Sequence, residues 1–162
     1  MNPVRGPRGP VTSVLIERVL HTYWRISRGL TLGVRGAVID AAGRILLIRH
    51  TYVPGWHMPG GGVEAGETAL DALARELKEE ARVTLTGPAP LHGVFYNRRI
   101  SRRDHVLVYV VRDFRIDEEK QPDREIAEIG FFPLDALPEG TTRGTLRRVA
   151  EIVGGNPASP LW

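Results

Sequence analysis

The stretch Met58–Val83, MPGGGVEAGETALDALARELKEEARV, opens with a glycine cluster that no regular element needs, then turns helical and gathers Glu76, Glu79 and Glu80. Thr68 is a good N-cap, and Asp71 three residues later resembles the partner of a capping box. Leu70, Leu73, Leu77 and Ala81 recur at helical spacing and are expected to form the buried stripe. At about 100° per residue the three glutamates share one arc beside that stripe, with Arg75 flanking it.

A solvated charged face is the bland reading of a Glu/Lys-rich helix, and two features count against it. Glu76 and Glu80 are like charges at i,i+4, which costs a few tenths of a kcal/mol on an exposed helix. Half-buried, the pair would repel by about 3 kcal/mol at ~6 Å and an effective dielectric of ~20. Lys78 points elsewhere. A divalent cation turns that cost into binding energy, and all-oxygen ligands favour Mg²⁺ or Mn²⁺ over zinc. The preceding PGGG can bring backbone amides and carbonyls close to a ligand, although a glycine run alone also reads as a flexible turn.

Outward from this segment the chain alternates strands and helices. LTLGVRGAVID and RILLIRHTYV are β-rich runs joined by DAAG, which reads as a hairpin. LHGVFYNRR and DHVLVYVVRDFRI are two more strands linked by the basic RISRRD, and EIAEIGFFPL is another. TTRGTLRRVAEIV reads as a closing helix whose first turn Gly144 weakens. Before all of these, Thr12–Arg28 carries an apolar stripe of Leu15, Ile16, Val19, Leu20, Tyr23 and Trp24. It reads first as a helix packed on its own domain, next as a dimer contact, and last as a membrane-surface helix. Met1–Pro10, with three Pro and two Gly, is expected to be disordered, and Pro157 and Pro160 to sit in a loose tail. The expected division is a disordered 1–10, one domain over 11–155 including the helix 12–28, and a tail over 156–162. Strands interrupted by one helix and closed by another imply a mixed sheet with helices on its faces.

Composition excludes several classes. With 162 residues and no Cys, the chain is long enough for one core without disulfides, and thiolate metal sites are ruled out. A net charge of +3 is weak support for a nucleic-acid partner, and no stable one is expected. No apolar run reaches the length of a membrane span. Glu17, Arg18 and His21 interrupt any secretory apolar core, so a cytoplasmic location is the default. An Arg-rich organelle-targeting segment stays open.

The central stretch resembles the Nudix (MutT-like) hydrolase box, G-x5-E-x7-R-E-U-x-E-E-x-G-U with U bulky and apolar. It starts at Gly61, continues through Glu67 and Arg75-Glu76-Leu77-Lys78-Glu79-Glu80, and ends at Val83. Every charged position matches. Arg82 stands where the second box glycine belongs, at a helix end where left-handed backbone is common, so it should cost roughly 1 kcal/mol or force another ending. GWHMPGGGVEAGET and EIAEIGFFPLDALP are similar to the family's flanking segments. The resemblance implies the Nudix fold, an α/β/α sandwich around a mixed sheet. It also implies Mg²⁺- or Mn²⁺-dependent hydrolysis of a nucleoside diphosphate linked to another moiety. By the same resemblance Glu76, Glu79 and Glu80 bind metal, helped by a carbonyl of Gly60 or Gly61, while Glu67 and Arg75 orient Glu76. The other reading is a non-catalytic nucleotide-binding or regulatory module on the same fold, which loss of box carboxylates would favour.

Other residues are weighed beside this box. Hydrolysis needs a base. Glu76 is the first choice, and Glu125, then Glu128, are candidates from outside the box or plain loop and strand charges. Arg98 and Arg99 open a basic run suited to phosphate or to a solvated hairpin tip. Trp56 and Tyr96 could stack on a base or pack at a sheet edge. The five His show no ligand spacing and are read as ordinary. The marks of ADP-ribose, coenzyme A, NADH and dinucleoside polyphosphate subgroups are not found. That leaves a nucleoside triphosphate or a small nucleotide conjugate as the expected substrate.

Overall fold

Alternation along β1 (Thr31–Val38) sends Val34 and Val38 to one side of a sheet and Ala37 to the other, all fully buried. β2 (Arg44–His50) repeats the pattern, with Leu46 on the first side and Ile45 and Leu47 on the second. The two sides become two cores. The first packs under α1 (Ala69–Ala81) through Ala72, Leu73 and Leu77. The second packs under α2 (Arg143–Gly154) through Val149. This is the expected α/β/α arrangement. The computed structural model describes Tyr23 and residues 29–162, and the strands and the two helices that cover them lie in the unit Thr31–Trp162. Apart from Tyr23, the helix expected at 12–28 lies outside the described residues, as does the disorder expected for Met1–Pro10. No helix among the described residues is long and apolar enough to cross a membrane.

The remaining strands are β3 (Trp56–His57), β4 (Val83–Leu85), β5 (Leu91–Tyr96), β6 (Asp104–Val111), β7 (Phe114–Ile116) and β8 (Ile126–Pro133). β6 lies between β1, to which it is parallel, and β5, to which it is antiparallel. β2 lies between β3 and β8, antiparallel to both, and β4 pairs with β7. The sheet is therefore mixed.

The expected hairpin of β1 and β2 is only partly correct. The DAAG turn forms, with Asp40 N donating to Arg44 O at 2.9 Å, but only Ile39 and Ile45 bridge before the strands part into different sheets. The reason is that the other edge of β1 is already taken. Val34 N donates to Gly61 O (2.8 Å), Gly36 N to Pro59 O (2.9 Å), and Val63 N to Leu32 O (2.9 Å), so the glycine loop replaces a neighbouring strand. The tail is also not loose. Tyr96 N donates to Pro160 O (2.9 Å) and Trp162 N to Tyr96 O (3.1 Å), which extends the edge of β5.

Candidate functional site

The capping box forms as the sequence indicates: Asp71 N donates to Thr68 Oγ1 (3.1 Å) and Thr68 N to Asp71 Oδ2 (3.1 Å). It starts α1 at a fixed residue and so fixes the rotation of its faces. The buried face includes Ala72, Leu73, Leu77, Glu80 and Ala81. Leu70, expected in the stripe, is instead 48% exposed, because the face is turned toward Ala72 and Glu80. The helix ends at Arg82 in left-handed backbone (φ 56°, ψ 27°), the one non-glycine residue with positive φ among those described.

The three glutamates are graded in depth. The side chain of Glu80 is 6% exposed, that of Glu76 14%, and that of Glu79 63%. Glu80 Oε2 accepts Gly60 N–H at 2.6 Å. Arg75 grips Glu67 through Nε (3.4 Å) and Nη2 (2.9 Å), holds Glu76 Oε1 through Nη1 (2.7 Å), and reaches Gly62 O (3.1 Å). These bonds hold the Arg75 guanidinium above its ordinary value and the Glu67 carboxyl below its own. A Cβ would meet a close neighbour at two positions beside them. At Gly60 (φ 139°) a Cβ would lie 2.1 Å from Val34 O, and at Gly61 it would lie 2.3 Å from Glu76 Oε1.

Two basic side chains from outside the box enter the cluster. Arg35, on β1, donates from Nη1 to Gly60 O (2.6 Å) and Met58 O (3.0 Å) and interacts electrostatically with Glu80 and Glu76. His50, at the end of β2, brings Nε2 to 3.7 Å from Glu80 Oε1. Glu125 completes a group in which one ligand atom each from His50, Glu80 and Glu125 lies within 4.8 Å of the others. Glu125 is held by Thr51 N donating to its carbonyl (2.9 Å) and by Asp123 Oδ1 accepting its N–H (2.9 Å). Burial pushes Glu80 up to about 7, with Glu76 and Glu125 adding to the shift against the Gly60 N–H and Arg35. Burial likewise pushes His50 down, with Arg35 and His57 contributing. His50 Nδ1 is buried without a hydrogen-bond partner among the described residues.

His50 and Arg35 carry no sequence signal. Spacing alone makes His50 an ordinary histidine, yet it is a buried member of the cluster. Its partners are far away in the chain, so no local pattern reveals them. Of the other candidates, Glu128 pairs with Arg49 and stands outside the His50–Glu80–Glu125 group. Trp56 packs edge-on against Phe132 at 4.9 Å, and the Tyr96 ring lies 5.4 Å from His105. Arg98 is exposed. Arg99 lines a cavity of about 510 Å³ whose wall also includes Arg35 of β1 and His57 and Met58, which lead into the glycine loop. The Gly60 and Gly61 carbonyls already accept from Arg35 and Val34 respectively.

Known proteins similar to this chain identify its family. The chain is 31% identical over 119 residues to the putative mutator protein MutT4 of Mycobacterium tuberculosis, covering 70% of this chain and 43% of that one. It is 35% identical over 109 residues to the ADP-ribose pyrophosphatase of Methanocaldococcus jannaschii, covering 63% and 62%. It thus spans about half the length of these curated relatives. Among solved structures, the MutT NUDIX hydrolase of Burkholderia pseudomallei superposes with a TM-score of 0.66 at 28% identity, over 75% of this chain and 97% of that one. The NUDIX domain model matches residues 29–151, a span that runs from the start of β1 through the glycine loop and α1 into α2, and the chain belongs to the Nudix family.

Proposed function

We propose that the protein is a divalent-cation-dependent pyrophosphohydrolase. Its substrate is a nucleoside diphosphate linked to another moiety, either a nucleoside triphosphate or a nucleotide conjugate. The carrying observation is the withdrawal of Glu76 and Glu80 from water at an i,i+4 spacing, against a glycine loop with no room for a side chain at Gly61. Arg75 and Arg35 offset part of the cost of that arrangement, and a bound cation would offset the rest. The donor set fits Mg²⁺ or Mn²⁺: carboxylate oxygens dominate, and Glu80, raised by burial, gains most from a positive neighbour. Glu76, Glu79 and Glu80 would hold the ion, and Glu125 and His50 converge on Glu80 from outside the box. Gly60 O is available only by sharing with Arg35.

A bound cation neutralises charge on the phosphoryl oxygens and makes water a better nucleophile. The protein's own residues supply the rest. Arg75 fixes Glu76 by one oxygen, leaving the other to accept the proton of water; Glu125 is the alternative base. The oxygen of water bonds to phosphorus, the bridging P–O bond breaks, and the departing phosphate carries away the electron pair. Lack of cysteine suits a reducing, cytoplasmic setting. The test is a nucleotide panel assayed for phosphate and pyrophosphate release with and without Mg²⁺. Release that needs Mg²⁺ is expected. Full activity in excess chelator would refute the metal-dependent mechanism. Cation-dependent nucleotide binding without release from any substrate would point to a non-catalytic module.

A further inference from the structure

The 510 Å³ cavity beside the glycine loop is lined by Arg35, Arg99, Arg143 and Arg147, and no Asp or Glu among the described residues lines it. A smaller concavity shares Arg99, Arg143 and Arg147. Among the described residues no carboxylate pairs with these three; the Arg147 guanidinium donates only to Arg143 O, at 3.4 Å. Arg143 and Arg147 are like charges at i,i+4 on α2, the same unfavourable spacing as the glutamates of α1 but of opposite sign. The first turn of α2 adds to the positive field. Thr142 is the N-cap residue but makes no side-chain cap, because its hydroxyl is bonded to that of Thr145 at 2.9 Å.

One wall of the cavity is the indole of Trp162. It is rigidly held. Arg148, fully buried, lies 3.8 Å above the Phe95 ring and 5.8 Å from Trp162, and donates to Leu161 O (3.1 Å) and Glu151 Oε1 (2.7 Å). Ser159 N donates to the same Glu151 oxygen (3.0 Å). The indole sits over Gly144, where a Cβ would lie 2.5 Å from Nε1. A glycine that weakens the first turn of α2 is thus what lets the tail form this wall.

We propose that this cavity binds a further phosphate group of the substrate, beyond the diphosphate that is cleaved, with Arg99, Arg143 and Arg147 as its ligands and Trp162 as an apolar face. This rests on the reading of the box as a diphosphate site. Arg35 links the two places: it lines the cavity and bonds Gly60, whose N–H holds Glu80. The extra phosphate belongs either to the sugar of a conjugate or to the polyphosphate chain, and the chemistry recognised is the same.

Binding is measured by calorimetry in chelator, so that turnover plays no part. Two matched pairs are used: ADP-ribose with its 2′-phosphate, and ADP with ATP. In at least one pair the more phosphorylated member binds tighter by about tenfold or more, the least that one charge-assisted hydrogen bond contributes. Preference in the first pair assigns the group to the sugar, and in the second to the chain. Arg143→Gln/Arg147→Gln, and independently Arg99→Gln, bring the preference close to unity. Arg112→Gln/Arg115→Gln, which removes the same charge outside the cavity, keeps it. Equal affinity within both pairs overturns the proposal, as does a preference that survives both sets of cavity substitutions. Failure to hydrolyse any substrate with Mg²⁺ overturns the hydrolase reading instead and leaves these binding results standing.

Discussion

At the scale of single residues the site is governed by who is allowed near Glu76. Its carboxylate is clamped by Arg75 on one side and approaches the backbone of Gly61 on the other. A methyl group at Gly61 would lie 2.3 Å from Oε1, closer than any real contact, so the carboxylate must swing away and release Arg75. The backbone at Gly61 does not need positive φ, so alanine is otherwise tolerated there. Gly61→Ala is therefore expected to lower kcat by about a hundredfold, the effect of an ångström-scale misplacement, with little loss of melting temperature. Parental kcat in a folded Gly61→Ala variant would mean that the position of Glu76 does not matter.

At the scale of elements, α1 shows what is local and what is not. Both of its ends were legible because caps depend on a few adjacent residues: Thr68 and Asp71 close one end, and Arg82 adopts the left-handed backbone that a glycine would prefer. Arg82→Gly should relieve about 1 kcal/mol of steric cost, partly offset by a more flexible unfolded chain, for a net gain of ~0.5 kcal/mol in denaturant melts. A loss of stability would assign the Arg82–Glu118 ion pair more weight than an exposed pair normally carries. The rotation of the helix was less legible. Apolar spacing puts Leu70 in the stripe, but tertiary packing chose Ala72 and the charged Glu80, which no hydrophobic pattern would select. The loop into β8 carries its own signature. The N–H of Ile126, Lys120 and the N–H of Glu125 hold the Asp123 carboxyl well below the usual carboxylate range. A depressed folded value means that the ionised group stabilises the fold above the ordinary carboxylate pKa of ~3.9, and that this is lost as pH falls toward the lower folded value. Asp123→Asn should melt below the parent at pH 5, and the gap should narrow toward pH 2. A gap independent of pH would make the role of Asp123 purely steric.

At the scale of the whole molecule, the sequence lacked what only long-range closure supplies. Arg35 and His50 join the glutamates because β1 and β2 part and the glycine loop fills the edge between them. The tail docks because backbone bonds to β5 and the buried Arg148 hold it, and neither leaves a compositional mark. The assembled result sets the buried Glu80 against the charges of Glu76 and Glu125, and this gives a global consequence. In chelator, Glu80→Gln removes a charge that burial and Glu76 oppose, so the variant should melt above the parent. The amide oxygen can still accept the Gly60 N–H. With Mg²⁺ or Mn²⁺ at a hundred times its dissociation constant, the parent gains about 2.7 kcal/mol by mass action. At ~2–4 °C per kcal/mol for a chain of this size, that is a rise of roughly 5–10 °C. The variant should rise much less, so the order of melting temperatures reverses or nearly closes when the cation is added, while turnover falls by about a hundredfold or more. If Glu80→Gln melts below the parent in chelator and both respond equally to the cation, the buried glutamate is a structural acceptor for the glycine loop and the cation binds elsewhere.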